Sequence, residues 1–395
     1  MTNPVERIRT YHTDLTAFRR DLHAHPELAF EEARTSQRVA DQLAGWGIEV
    51  HRGLAKTGVV GVIPGRKASA KAIGLRADMD CLPMHETGAR PHKSQHEGRM
   101  HACGHDGHTT MLLGAARYLS ETRGFEGTAY VILQPAEEHG GGGNVMVREG
   151  LFQRFPVDQV YALHNWPGLA AGRIAVRAGP ILAATDDIRI DVRGMGGHAA
   201  MPHLSVDPVV AAAHIITALQ TIASRNVSPL DAIVVSLCSM ETSQLGTFNV
   251  SPDAVKLVGT VRTFRPETQT LAEKRIREIA AAVASGLGAS AQLEYMRGYP
   301  ATVNTPKEAE FAARVGERIF GRENVVREFD ATMGGEDFAY MLQARLGAYV
   351  LLGQGGEPSG CYLHNPNYDF NDEIIPLGAA WWVRIVQQEL NLAGA

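Results

Sequence analysis

The chain has 395 residues, with 38 Lys and Arg against 43 Asp and Glu, a formal net charge of −5. Charged residues at 21% and apolar residues at 45% are ordinary globular values, which exclude a disordered chain. Without a basic excess there is no case for a nucleic-acid binder, and no apolar run approaches the ~18 residues of a membrane span.

A single core stops growing at roughly 250–300 residues, so about two domains are expected. The opening MTNPVERIRTYHTDL lacks the apolar core of a secretory signal, and a cytoplasmic protein is expected. The first ~45 residues read as helical, with Leu15, Phe18, Leu22, Val39, Leu43 and Trp46 at helical spacing and Pro26 interrupting them. Val59–Ile63 and Ala72–Leu75 read as buried strands. Asp106 precedes a helix marked by Met111, Leu112, Ala115, Ala116 and Leu119. Ala129–Leu133 and Val160–Leu163 are further strands, and the alternation predicts an α/β fold with a largely parallel sheet. From residue 183 the pattern changes. A strand (Asp187–Val192), a helix (Val206–Ala223), two strands (Ile233–Met240, Val255–Phe264), a helix (Leu271–Leu287) and a strand (Gln292–Met296) follow the ferredoxin-like order. Glu308–Phe320 and Pro376–Leu390 read as helices and Ala348–Leu352 as a strand. The expected organisation is one α/β domain, residues 1–182 and 297–395, interrupted by an α+β insertion at 183–296.

Sixteen histidines sit largely in clusters with Asp, Glu or Cys. The segment His101-Ala102-Cys103-Gly104-His105-Asp106-Gly107-His108 is either a polar loop before a helix or a metal-binding turn. Cys103 and His105, two residues apart, point to one side where the backbone is extended. Gln134-Pro135-Ala136-Glu137-Glu138-His139 ends a strand. Adjacent carboxylates there are either a solvated pair or a ligand beside a general base. His164 follows another strand, and His364 lies in Tyr362-Leu363-His364-Asn365. Cys103, His105, Glu138, His164 and His364 mix S, N and O donors, which suits zinc or else manganese, cobalt or nickel. Five donors exceed the need of one catalytic zinc, so two ions sharing a bridging ligand is the economical reading. Asp78 and Asp80 also end an apolar run; either they are solvated turn residues or they orient ligand histidines. In Arg193-Gly194-Met195-Gly196-Gly197-His198, a glycine-rich bend presents His198, a substrate or oxyanion contact or else a capped loop residue. The four cysteines are too irregularly spaced for a disulfide framework. A Cys103 thiol nucleophile, or a non-catalytic metal-holding scaffold, are the competing readings.

Together these segments, with Arg20–Leu28, Arg76–Pro83, Met333-Gly334-Gly335-Glu336-Asp337-Phe338 and His364–Asp372, resemble the M20 metallopeptidase family over nearly the whole chain. The match is nearest its amidohydrolase branch of hippurate hydrolases, N-acyl-amino-acid deacylases, auxin-conjugate hydrolases and N-acetyldiaminopimelate deacetylases. The resemblance implies a zinc-exopeptidase-like catalytic domain with an inserted lid and dimerisation domain, and a homodimer or homotetramer. It implies two divalent metal ions on Cys103, His105, Glu138, His164 and His364, with Cys103 bridging where the wider family has an aspartate. Asp78 stands where that wider family has a histidine. Glu137 matches the general base and His198 the histidine that reaches a partner's active site. Asp78, Asp80 and Asp106 are implied supports of the ligands; Asn249, Arg262, Gly334 and Gly335 match positions near the substrate. The implied reaction is hydrolysis of the amide bond of a small N-acyl amino acid.

Overall fold

The computed structural model describes residues 3–244, 246–356 and 361–391. It divides into two compact units: Met1–Ile181 with Val303–Asp330 and Asp337–Ala395, and Leu182–Thr302 with Ala331–Glu336. The second unit therefore runs past residue 296 and takes in a short return segment.

The larger unit is built on an eight-stranded sheet. Its order is Glu49–Leu54, Gly58–Pro64, Glu126–Gln134, Lys67–Asp78, Gln159–Pro167, Leu346–Gly355, Ile174–Ala175 and Val325–Val326. The four central strands, from Glu126–Gln134 to Leu346–Gly355, are mutually parallel. The expected largely parallel sheet is found at the centre, and antiparallel outer strands make the whole mixed. Glu49–Leu54, Gly58–Pro64 and Glu126–Gln134 pair antiparallel, because tight turns join the first two strands and the second then runs against its inner neighbour. The first of these strands has no apolar run to reveal it, since it is an edge strand in which only Leu54 is buried.

The helical N-terminus is three helices, Pro4–Arg9, His12–Ala24 and Ala33–Gly45. The helix His105–Thr122 is buried over most of its length and packs on Ile375–Glu389. That contact is close because Gly378 carries no side chain: a Cβ there would meet Met111 Sδ at 2.2 Å. Trp381 and Trp382 fill the same core with no exposure. Cys103, Ala102 and Met100 belong to this core, so the histidine-rich segment is anchored by apolar packing.

The smaller unit holds a four-stranded antiparallel sheet ordered Ile233–Thr242, Ala254–Thr263, Ala184–Arg193 and Ser290–Arg297. Helices Pro208–Leu219 and Pro266–Gly286 pack on it through Ala211, Ile215, Leu219, Ile276 and Ala280. The first helix is shorter than its apolar run. Asp207 caps it, with Oδ1 accepting from Val209 N at 2.8 Å, and a π turn at Ile222–Asn226 carries the remaining apolar positions. The second begins earlier than its first leucine, because Pro266 opens a polar first turn. Among the described residues no helix is long and apolar enough to cross a membrane.

Candidate metal centre

Three parallel strands of the larger unit deliver side chains at their carboxyl ends, where open α/β sheets place their sites. Asp78 ends one and is level with Gln134, which ends its neighbour; His164 lies near the end of the third. Gly104, at φ 97°, turns the chain into the helix that starts at His105. A Cβ at Gly104 would sit 2.3 Å from Asn165 Oδ1, so only glycine fits there. Two non-glycine residues beside the site are left-handed, Ala136 at φ 58° and His364 at φ 62°. Such strain clusters at functional sites and persists only where the surroundings hold it. His364 is held by its own N–H, which donates to Ala102 O at 2.8 Å.

The five sulfur, nitrogen and oxygen donors come together. The ligand atoms of Cys103, His105 and His164 lie within 4.8 Å of one another, as do those of Cys103, Glu138 and His364. Cys103 is common to both groups. Its Sγ is 3.4 Å from His164 Nε2, and Glu138 Oε1 is 3.4 Å from His364 Nε2 and 3.9 Å from His105 Nε2. Glu137 Oε2 lies 3.9 Å from the same His105 nitrogen.

The far nitrogens are already committed. His164 Nδ1 donates to Asn165 O at 2.7 Å, and His105 Nδ1 to Asp80 O at 3.0 Å with Asp80 Oδ1 at 3.2 Å. Each ring thereby turns its Nε2 toward the cluster. Asp80 Oδ2 also accepts from Glu138 N at 2.9 Å. Burial, aided by His108, holds His164 well below the ordinary imidazole range, in the neutral form a ligand requires. Burial also opposes charge on His105, but Asp78, Asp80 and Glu138 override it and push the ring up to about 10. Burial and the Glu138 and Glu137 carboxylates push the Cys103 thiol well above its usual value. A thiol so placed is a poor free nucleophile and becomes a thiolate only beside a cation.

The fit to metal ions rests on atoms left over. His105 Nε2 and Glu138 Oε1 are buried without a hydrogen-bond partner, although buried polar atoms normally have one. Both face the shared thiol. A cation would take the place of the missing partners and offset the gathered carboxylates, and the S, N and O mixture suits a borderline divalent metal.

Asp78 also adjoins the cluster, its Oδ2 lying 3.8 Å from His105 Nε2, and its ligand atom lies within 4.8 Å of those of His105 and His108. It accepts from His108 Nδ1 at 2.6 Å and pairs with Arg76 Nη1 at 2.8 Å, while Arg76 reaches Gln134 and Asp337. Asp106 stands apart from the five donors. Its carboxylate pairs with His23 Nδ1 at 2.8 Å and Arg19 Nη1 at 3.4 Å.

The remaining expected residues lie in the smaller unit. His198 is in a two-residue strand paired with Val250–Ser251 and is exposed. Ala200 N donates to its Nδ1 at 3.1 Å, which leaves the proton on Nε2. Exposed Asn249 is beside it, its carbonyl accepting from Ala199 N at 3.0 Å. Arg262 is half-buried in the sheet, opposite Thr185 and Val234. Gly334 accepts from Ala183 N at 2.9 Å, and Gly335 backs onto Thr185, where a Cβ would meet Cγ2 at 2.3 Å.

Sequence reasoning passed over Arg19, His23, Glu32, Arg76 and His108 as individual residues. His108 carried a signal, a third histidine one helical turn after His105. Fully buried His101 has neither ring nitrogen hydrogen-bonded, and burial pushes it down to about 4, so it is neutral.

Residues 74–388 match the peptidase family M20/M25/M40, and the chain belongs to that family. It is 37% identical over 389 residues to a hippurate hydrolase of Campylobacter jejuni, covering 98% of this chain and 100% of that protein. An N-acetylcysteine deacetylase of Bacillus subtilis is 36% identical, with 95% of this chain and 97% of that one aligned. A solved Bacillus subtilis structure, described as a dinuclear metal-binding peptidase of the M20 family, superposes with a TM-score of 0.83 at 31% identity, covering 97% of this chain and 99% of that one. The chain is thus a metal-dependent amidohydrolase of the M20 type.

Proposed function

We propose that this enzyme hydrolyses the amide bond of small N-acyl amino acids, hippurate-like substrates among them, to a carboxylate and a free amino acid. The observation that carries the reading is the membership of Cys103 in both donor groups, Cys103–His105–His164 and Cys103–Glu138–His364. It supports a two-metal centre with Cys103 as the shared ligand and the other four residues divided between the ions. Zinc, or manganese, cobalt or nickel, would supply there an acidified water and a polarised amide carbonyl.

The protein's own groups do the rest. Glu137, beside the ligand His105, takes the proton of the attacking water and returns it to the leaving amine. Asp80 orients His105 and the Glu138 amide together. His198, with its proton on Nε2, is the donor for the developing oxyanion, supplied from a second copy of the chain in a homodimer or homotetramer. Asn249, Arg262, Gly334 and Gly335 are substrate contacts in this reading, and the smaller unit serves as lid and dimerisation domain.

The test is amine release from a panel of N-acyl amino acids, beginning with N-benzoylglycine and N-acetylcysteine. Each is run on chelated protein and on protein refilled with each metal. Release that stops on chelation and returns with metal supports the reading. Release that survives chelation and is abolished by a thiol reagent would replace it with a Cys103 nucleophile.

A further inference from the structure

Glu32 is completely buried, and nothing in the proposed reaction uses it. It occupies the N-cap position of the helix Ala33–Gly45, yet its side chain does not cap that helix. Glu27 does so instead, its carboxylate accepting from Arg34 N at 3.0 Å and Thr35 N at 2.7 Å. The Glu32 carboxylate is thereby freed to reach across more than a hundred residues of sequence. Oε1 accepts from Ala136 N at 2.9 Å and Phe30 N at 3.0 Å, and Oε2 accepts from Thr57 Oγ1 at 2.6 Å.

Ala136 is the left-handed residue immediately before Glu137. An alanine leaves that conformation readily unless both its backbone groups are held. Here its carbonyl accepts from Gly142 N at 2.9 Å, and its N–H goes to Glu32. On the other side of Glu137, the Glu138 amide donates to Asp80 Oδ2 at 2.9 Å. The backbone of Glu137 is therefore suspended between two buried carboxylates, one on each neighbouring amide.

We infer that Glu32 is a positioning residue for the general base: it fixes the Ala136 turn and so the place from which Glu137 reaches the attacking water. This rests on the reading of Glu137 as the base. The contact acts on the base more than on the ligands, because Glu138 has its own tether to Asp80.

Two conservative variants of the metal-loaded enzyme separate reach from charge. Glu32→Asp keeps the charge but is one methylene too short to hold Ala136 N. Glu32→Gln keeps the reach, its oxygen facing the two amides and its NH2 facing Thr57. With N-benzoylglycine, or whichever panel member turns over, Glu32→Asp is expected to lower kcat by about 10–100-fold, the cost of a misplacement of around an ångström. KM should stay within about twofold and both metals should remain bound. Glu32→Gln should stay within about threefold of the parent kcat. The inference is overturned by a parent-like kcat in Glu32→Asp, by an equal loss in Glu32→Gln, or by a Glu32→Asp defect that appears in metal content or KM instead of kcat. Glu137→Gln is measured alongside. If it retains full turnover, the reading of the base has failed; if it is inactive while Glu32→Asp is active, only the role of Glu32 has.

Discussion

Two largely buried clusters in the larger unit both join histidines to acids and do different things with them. One gathers Cys103, His105, Glu138, His164 and His364. The other is a knot around Arg19, whose guanidinium pairs with Asp106 at 3.4 Å, Asp369 at 3.0 Å and Asp372 at 2.7 Å. His23 joins that knot through Asp106 at 2.8 Å and Glu86 at 3.5 Å. There, acids meet bases and the charges close on themselves. Burial opposes a charged His23, but Asp106 and Glu86 hold the proton and push the ring up to about 9. In the first cluster the pairing is incomplete: the thiol lies beside an imidazole nitrogen, while a carboxylate oxygen and a second imidazole nitrogen are buried without a hydrogen bond. A polar cluster that is complete within the protein is a fastening. One left with buried polar atoms lacking hydrogen bonds is a place for a ligand.

That contrast predicts that changes in the first cluster cost chemistry and changes in the second cost stability. Glu137→Gln should lower kcat by roughly 10²–10⁴-fold, the usual share of a general base, with metal content unchanged by elemental analysis. Full activity would end the mechanism. Arg19→Met leaves Asp106 buried without its guanidinium and should cost about 3–5 kcal/mol in denaturant unfolding. The folded fraction should still bind metal normally, and a stable variant that has lost metal would erase the distinction between the clusters. Asp80→Asn unseats the support of His105 and Glu138, so metal affinity should fall by about 10–100-fold in a chelator competition. Unaltered affinity would remove Asp80 from the site.

The smallest effect concerns Glu32. Burial, reinforced by the charge of Asp80, pushes its carboxyl from 4.5 up to about 7. The folded chain therefore keeps a proton that the unfolded chain sheds above about 4.5. The stability this contributes is complete below that pH and is lost as the pH rises through about 7. Glu32→Gln cannot ionise and does not suffer this loss. Its melting temperature should gain on the parent's between about pH 4.5 and 7 and hold the gain above. A constant difference across that window would mean that Glu32 titrates normally.

The sequence announced the donors because they are chemically conspicuous. Three histidines and a cysteine within eight residues, or two glutamates closing an apolar strand, stand out from any polar loop. Strand and helix periodicity found most of the central sheet and its covering helices for the same reason: burial writes itself as apolar spacing. What stayed hidden was whatever acts at long range without a local pattern. Glu32 reads as one more acid at the start of a helix, and only the fold shows its carboxylate on the Ala136 amide. Asp106, two residues from nothing but histidine and glycine, reads as part of the ligand segment, yet the helix turns it to Arg19 and His23. The exposed edge strand Glu49–Leu54 was equally silent, since an edge buries too little to need alternation.

The double role of Cys103 in both donor groups is tested most directly by cobalt titration of chelated protein. It predicts two equivalents bound per chain and a thiolate-to-cobalt charge-transfer absorption that Cys103→Ser lacks, with amide hydrolysis recovering as the second equivalent binds. A single equivalent, or two equivalents without any thiolate absorption, would contradict it.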